Sequence, residues 1–305
     1  MLNETKESYE TKIPLLIIAG PTASGKTSLA IALCEQLDGE VVSADSMQVY
    51  CGMDIATAKP SMEEMTRVQH HLIDVVDPGE RFSVAKYAPM AHEAIADIHA
   101  RGKQPVFCGG TGLYIQAVVE NWQLTPGEIS HEINGTWEEL REIDPEHAAK
   151  VHPNDEKRVN HALALYCETG VTLTEQNLCS REEPTPYDAR MIFLNTRDRK
   201  LLYDRINRRV DEMIINGLVR EAKNMPRGTA AQAIGHKELE LYLKGECEME
   251  EAVARLKQET RRYAKRQLSW FRRMAREWEE RCVELYIEDK GLIERAIEFA
   301  QAQVL

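Results

Sequence analysis

Gly20-Pro21-Thr22-Ala23-Ser24-Gly25-Lys26-Thr27 meets the phosphate-loop spacing G-x-x-x-x-G-K-[ST] at every position. Glycines let successive backbone N–H groups turn inward around a polyphosphate, and Lys26 adds a mobile cation. Thr27 brings the hydroxyl that such loops set on Mg2+. Asp45, followed by Ser46, Met47 and Gln48, is a carboxylate suited either to take a proton or to order Mg2+ and its waters. A second glycine turn, Gly109-Gly110-Thr111-Gly112, is either a further contact surface or plain turn chemistry. A phosphate-containing ligand follows from these residues; its identity does not.

These groups meet only if the elements ahead of them are neighbouring strands of one sheet. Ile13–Ala19 is an almost unbroken apolar run, as a parallel strand buried on both faces requires, and residues 28–37 carry helical spacing. Further strands are predicted at 40–44, 105–108, 191–194 and 283–287, with a helix over 83–101. Asp45 and the second glycine turn both end strands, where open α/β sheets bind ligands. Lys59, in the loop 52–60, is either a second phosphate cation or a solvated lysine. Side chains of adjacent residues diverge, so His70 and His71 are read as structural and not as a metal pair.

Residues 120–188 lack a strand pattern and are punctuated by Pro and Gly, which predicts a helical insertion. The layout is a tail at 1–12, an α/β core at 13–119, the insertion at 120–188, and the rest of the core with basic helices at 189–305. The fold class is a P-loop NTPase-like α/β fold, a parallel sheet flanked by helices.

A net charge of -12 over 305 residues argues against non-specific nucleic-acid binding by the surface as a whole. A nucleic-acid partner would need a local basic patch, and residues 255–276 offer one. At 100° per residue Arg255, Arg262, Arg266 and Arg273 align, and Arg261, Lys265, Arg272 and Arg276 widen the arc. Leu256, Tyr263, Trp270 and Met274 take the other side. Such an arc is either a solvated face or a partner surface. Seven cysteines, scattered and without C-x-x-C spacing, indicate neither a zinc site nor a disulfide framework. No run of eighteen apolar residues occurs and the polar start is no secretory signal, so the expected location is the cytoplasm.

Taken together the motifs resemble those of the tRNA dimethylallyltransferases, or tRNA isopentenyltransferases. Beside the phosphate loop the matches are Asp-Ser-Met-Gln-Val-Tyr at 45–50, Met-Asp-Ile-Ala-Thr-Ala-Lys-Pro at 53–60 and His-His-Leu-Ile-Asp at 70–74. Gly-Gly-Thr-Gly-Leu-Tyr at 109–114, His-Pro-Asn-Asp at 152–155, Gln-Ala-Ile-Gly at 232–235 and Tyr-Ala-Lys-Arg-Gln at 263–267 follow in the family's order.

The resemblance implies transfer of a dimethylallyl group from dimethylallyl diphosphate to N6 of the adenosine beside the anticodon of tRNA, with Mg2+. Residues 20–27 would hold the donor diphosphate, with Lys26 and the metal at Thr27 neutralising it as it leaves. Asp45 matches the family's base and Thr111 a position contacting the substrate adenosine or the leaving group. Asp45, Ser46, Met47, Gln48, Thr111, Arg158 and Gln232 match tRNA-contact positions. The partners would be the anticodon stem-loop and the allyl diphosphate, with the protein a monomer and no membrane involved. An adenylate isopentenyltransferase acting on free AMP, ADP or ATP, and a P-loop ATPase or kinase, are the alternatives. Three departures stand out: His161 where an arginine is usual, His236 where a tyrosine is usual, and a short insertion before Asp144-Pro145. All three bear on gripping tRNA more than on chemistry.

Overall fold

A computed structural model describes residues 12–124, 133–226 and 228–302. The tail at 1–12, apart from Lys12, lies outside the described residues, as does 125–132 of the expected insertion. Six strands form one sheet: β1 (Ile13–Ala19), β2 (Gly39–Ser43), β3 (His70–His71), β4 (Gln104–Gly109), β5 (Tyr187–Asn195) and β6 (Cys282–Tyr286). Their order is β3-β2-β4-β1-β5-β6 and every pairing is parallel. Parallel neighbours need long crossovers, and helices provide them: α1 (Lys26–Leu37), α2 (Met62–Arg67), α3 (Val84–Ala100) and α4 (Gly112–Val119) early in the chain. α5 (Trp137–Ile143), α6 (Pro145–Ala148), α7 (Glu156–Thr169) and α8 (Leu173–Cys179) come next. α9 (Arg199–Ile215), α10 (Leu218–Asn224), α11 (His236–Leu243), α12 (Met249–Trp278) and α13 (Leu292–Gln301) complete the set.

Contacts divide the chain into two compact units, Met1–Val118 with Pro186–Leu305, and Val119–Thr185. The sheet belongs to the first. Its central strand is buried on both faces, with Leu15 to Ala19 at most 1% exposed, which explains the unbroken apolar run. Alternation sorts its helices into two layers. Leu16, Ile18, Val106, Ile192 and Leu194 join Leu29, Leu33, Ala296 and Ala300 of α1 and α13 in one cluster. From the opposite face Phe107 stacks on Tyr87 of α3 and Phe193 packs on Phe271 of α12.

The second unit has its own core of Leu140, Ala148, Val151, Val159, Ala162 and Leu163. Buried Asp144 ties it together, accepting N–H from His147 and both N–H and O–H from Thr174. Burial works to raise this carboxyl's pKa, and those hydrogen bonds outweigh it, so the net direction is down. Arg158 and His161 are exposed on α7, with Arg158 paired to Asp155 at 3.4 Å.

Two expectations shift, and one strand was not expected. β5 starts at Tyr187, inside the stretch read as insertion, because the alternation of Tyr187-Asp188-Ala189 is too short to separate from a loop. β3 is only two residues long and leaves no period to detect. α12 runs well beyond 255–276 at its start, through Met249 to Arg255. The seven cysteines are all free, and among the described residues no helix is long and apolar enough to cross a membrane.

Candidate active site

β1, β4 and β2 lie side by side, with Ala19 opposite Gly109 and Ser43 opposite Cys108. Their following loops therefore emerge at one edge: the phosphate loop, the second glycine turn and the Asp45 segment. The approach is close. A Cβ on Gly109 would sit 2.1 Å from the carbonyl oxygen of Ala44, and one on Gly20 2.8 Å from that of Leu194, so both positions exclude any side chain. Ala44 N–H donates to Cys108 O and Thr111 N–H to Ala44 O, which stitches the second and third loops together.

These loops open on a cavity of about 850 Å³. Thr22, Ala23, Gly25, Lys26 and Thr27 line one part of it, with Asp45, Ser46, Met47 and Gln48 beside them. Gly25 caps α1 with φ 93°, a left-handed conformation that suits glycine, and turns the chain into the helix so that Lys26 and Thr27 open its first turn. The Lys26 ammonium donates to Pro21 O at 2.8 Å. Burial pulls its pKa down to about 8, with Cys108 and Asp45 opposing and Arg209 reinforcing the shift. Ser24, also in this loop, is buried with no partner for its hydroxyl.

Asp45 is fixed by its own turn. Its Oδ1 accepts N–H from Met47 at 2.9 Å and from Gln48 at 3.3 Å, an Asx-type turn that presents the carboxylate rigidly. Gln48 reaches back to Ser43 Oγ and forward to Thr57 O, joining this segment to the next wall. Thr111 is not among the lining residues: its Oγ1 accepts Ser46 N–H at 3.1 Å, so it supports the Asp45 segment from behind. Gln232 lies at the cavity; Arg158 belongs to the second unit, on α7.

Several participants went unassigned in the sequence. Arg205, Arg208 and Arg209 line the cavity from α9. Arg209 is close enough to Asp45 and Lys26 for their charges to act on one another; burial lowers its pKa and Asp45 opposes that. Nothing local to the sequence shows which way the i, i+4 pair Arg205 and Arg209 faces. Gln267, from α12, also lines the cavity and touches two of the three loops.

Lys59 borders the cavity and is not a solvated lysine. Its side chain is 5% exposed, donating to Tyr50 O at 2.7 Å and pairing with Asp54 and Asp74. It fastens the loop that carries Ile55 to Pro60 along the cavity. His236 is likewise internal and not on a gripping surface: it pairs with buried Glu221 at 2.9 Å, and Glu221 accepts N–H from Ile55 and Ala56. The change from tyrosine thus bears on the cavity wall. His71 bonds to Glu40 and His70 Nδ1 to Val68 O, and His70 also borders the cavity.

On α12 the arc divides. Arg262, Lys265, Arg266, Arg273 and Arg276 are exposed, whereas Arg261 turns to Asn207 and Arg272 to Asn195. Among the described residues no cluster of three or more His, Cys, Asp or Glu could hold a metal. Mg2+ seldom uses an all-protein cage; one or two hard oxygens plus substrate phosphates suffice. The Thr27 hydroxyl and the Asp45 carboxylate in one cavity meet that donor set.

The chain matches the family model described as IPP transferase over residues 48–274 and that described as isopentenyl transferase over 13–77. It is 48% identical over 280 residues to the tRNA dimethylallyltransferase of Caldanaerobacter subterraneus subsp. tengcongensis, covering 85% of this chain and 89% of that one. Among solved structures it is similar to the full-length tRNA isopentenylpyrophosphate transferase of Bacillus halodurans, at 40% identity and TM-score 0.73, covering 96% and 97% of the two chains. A eukaryotic dimethylallyltransferase acting on tRNA superposes with TM-score 0.81 at 29% identity, covering 96% of this chain and 79% of that one.

Proposed function

We propose a reaction from one premise: the chain belongs to the tRNA dimethylallyltransferase (IPP transferase) family. It prenylates an adenosine of tRNA, and the donor is dimethylallyl diphosphate. The observation that carries this is the meeting of the phosphate loop, two cations and Asp45 in one cavity.

The allyl C1–O bond breaks with its electron pair going to the diphosphate, and the lone pair of the adenine N6 forms the new bond to C1. Lys26 and Arg209 face the place where the leaving charge grows, and the start of α1 directs its dipole there. Thr27 would hold Mg2+, which would supply further neutralisation of the leaving group. N6 is a weak nucleophile because its lone pair is shared with the ring. Losing its proton to Asp45 as the bond forms removes the positive charge that would otherwise build there. The Asx turn holds that carboxylate in place. An adenine stacked in an anticodon loop cannot reach these groups, so it must be extruded to react.

A doubly labelled donor tests the reaction class. Label in the hydrocarbon should pass to RNA while label in the phosphates appears as free diphosphate. Phosphate label in an acceptor, or ATP hydrolysis with no use of the allyl diphosphate, would point to a kinase or ATPase.

The exposed cations of α12 contact tRNA phosphates in this account. Replacing Arg262 and Arg266 with Gln should weaken tRNA binding and reduce the slope of log K against log salt by about 2. Titrations at several salt concentrations read this out, and an unchanged slope would leave the arc a solvated face.

A further inference from the structure

Gln267 sits on α12 far along the chain from the loops that shape the cavity, and it is 5% exposed. Its Oε1 accepts N–H from Thr22 of the phosphate loop at 2.8 Å, and its Nε2 donates to Gly110 O of the second glycine turn at 2.9 Å. The fit leaves no slack: a Cβ on Gly110 would lie 2.3 Å from that Nε2. One turn earlier, Tyr263 lies beside Thr111 and Gln267, and burial pushes its pKa up. One turn later, Trp270 packs on Gly112, where a Cβ would meet its ring at 2.4 Å. Thr111 in turn holds Ser46, the neighbour of Asp45.

Hydrogen bonds therefore run from Thr22 through Gln267 to Gly110, whose chain neighbour Thr111 holds Ser46. We infer that Gln267 is a positioning residue for the transfer, a brace that sets the separation between the phosphate loop and the segment carrying Asp45. This rests on the function proposed above. The chemistry demands such a brace. C1 and N6 must approach to about 3–3.5 Å with the leaving oxygen behind, and a displacement of 1 Å can cost about 100-fold in rate. The two sides of that geometry come from different loops, one holding the diphosphate and one the carboxylate. Gln is the side chain that fits, because one end must accept an N–H and the other must donate to a carbonyl.

Gln267→Glu keeps the size and the acceptor but sets a carboxylate against Gly110 O. At about pH 8 it should lower kcat by about 100-fold with tRNA affinity close to that of the unaltered protein, while the melting temperature, lowered by the buried carboxylate, recovers as pH falls. Burial raises the pKa of such a carboxyl, and once protonated its O–H can donate to Gly110 O. The ratio of variant to unaltered kcat should therefore climb as pH falls toward about 6. Gln267→Ala, which loses both bonds, should show a comparable loss of kcat with a flat ratio. A Gln267→Glu rate within about threefold of normal at pH 8, a ratio that ignores pH, or a loss confined to the KM for tRNA would each overturn the brace. If the unaltered protein transferred no prenyl group, the function would fall instead, and the brace would be read from inorganic diphosphate binding, weakened in Gln267→Glu.

Discussion

Changing Asp45 to Asn is expected to lower kcat by roughly 10²–10⁴-fold, with tRNA affinity nearly unchanged. Asn is the informative replacement because Oδ1 is a structural acceptor for Met47 and Gln48 N–H, and an amide oxygen keeps both bonds. The loop then survives while the proton acceptor is gone. Alanine would remove the turn as well and confound the two effects. The second role open to Asp45, ordering Mg2+, gives a different signature. In that case added Mg2+ would restore part of the rate and the KM for the donor would rise, whereas loss of a base leaves both unaffected. Single-turnover measurements over a range of Mg2+ separate the cases, and an Asp45→Asn protein with near-normal kcat would remove Asp45 from the chemistry.

Lys26→Met should reduce kcat/KM for the donor by about 10²–10³-fold, the loss typical of one donor aimed at developing negative charge. Its stability effect should run the other way. Burial holds Lys26 near a pKa of 8 against 10.5 for a free lysine, so folding the charged form is unfavourable by up to roughly 3 kcal/mol, less where water in the cavity screens it. That cost is fully present below pH 8. Between about 8 and 10.5 the unfolded chain binds the extra proton, so stability rises with pH across that window. Lys26→Met should therefore melt at a higher temperature than the unaltered protein and lose this rise. Donor binding has the opposite sign, since the ammonium loses its proton as pH passes 8 and affinity should fall. Calorimetry and donor titrations at several pH values check both, and a variant less stable at neutral pH would contradict the burial argument.

The parts written in contiguous residues were legible. Strand, glycine turn and helix around Lys26 are one local unit, and Asp45 and Gly109 end strands whose apolar runs are visible alone. What escaped depends on distant pairing. Gln267 meets Thr22 across 245 residues, Glu221 meets Ile55 across 166, and no periodicity within a helix reports which loop its side chains will meet. Lys59 looked free because Asp74, its partner at 2.5 Å, comes fifteen residues later in the loop that precedes α3. Arg209 was not singled out, since nothing local shows that one turn of α9 faces inward. The helical arc on α12 was read correctly as two-sided, yet the polar Gln267 on its buried side has no apolar signature.

The central claim is that the cavity moves a prenyl group onto an adenosine within tRNA. Incubating the protein with dimethylallyl diphosphate, Mg2+ and unmodified tRNA, then digesting the RNA and weighing its nucleosides, tests it most directly. N6-dimethylallyladenosine from the position beside the anticodon, with none formed from free AMP, is the result expected. Product from AMP alone, with the tRNA left unmodified, would contradict it.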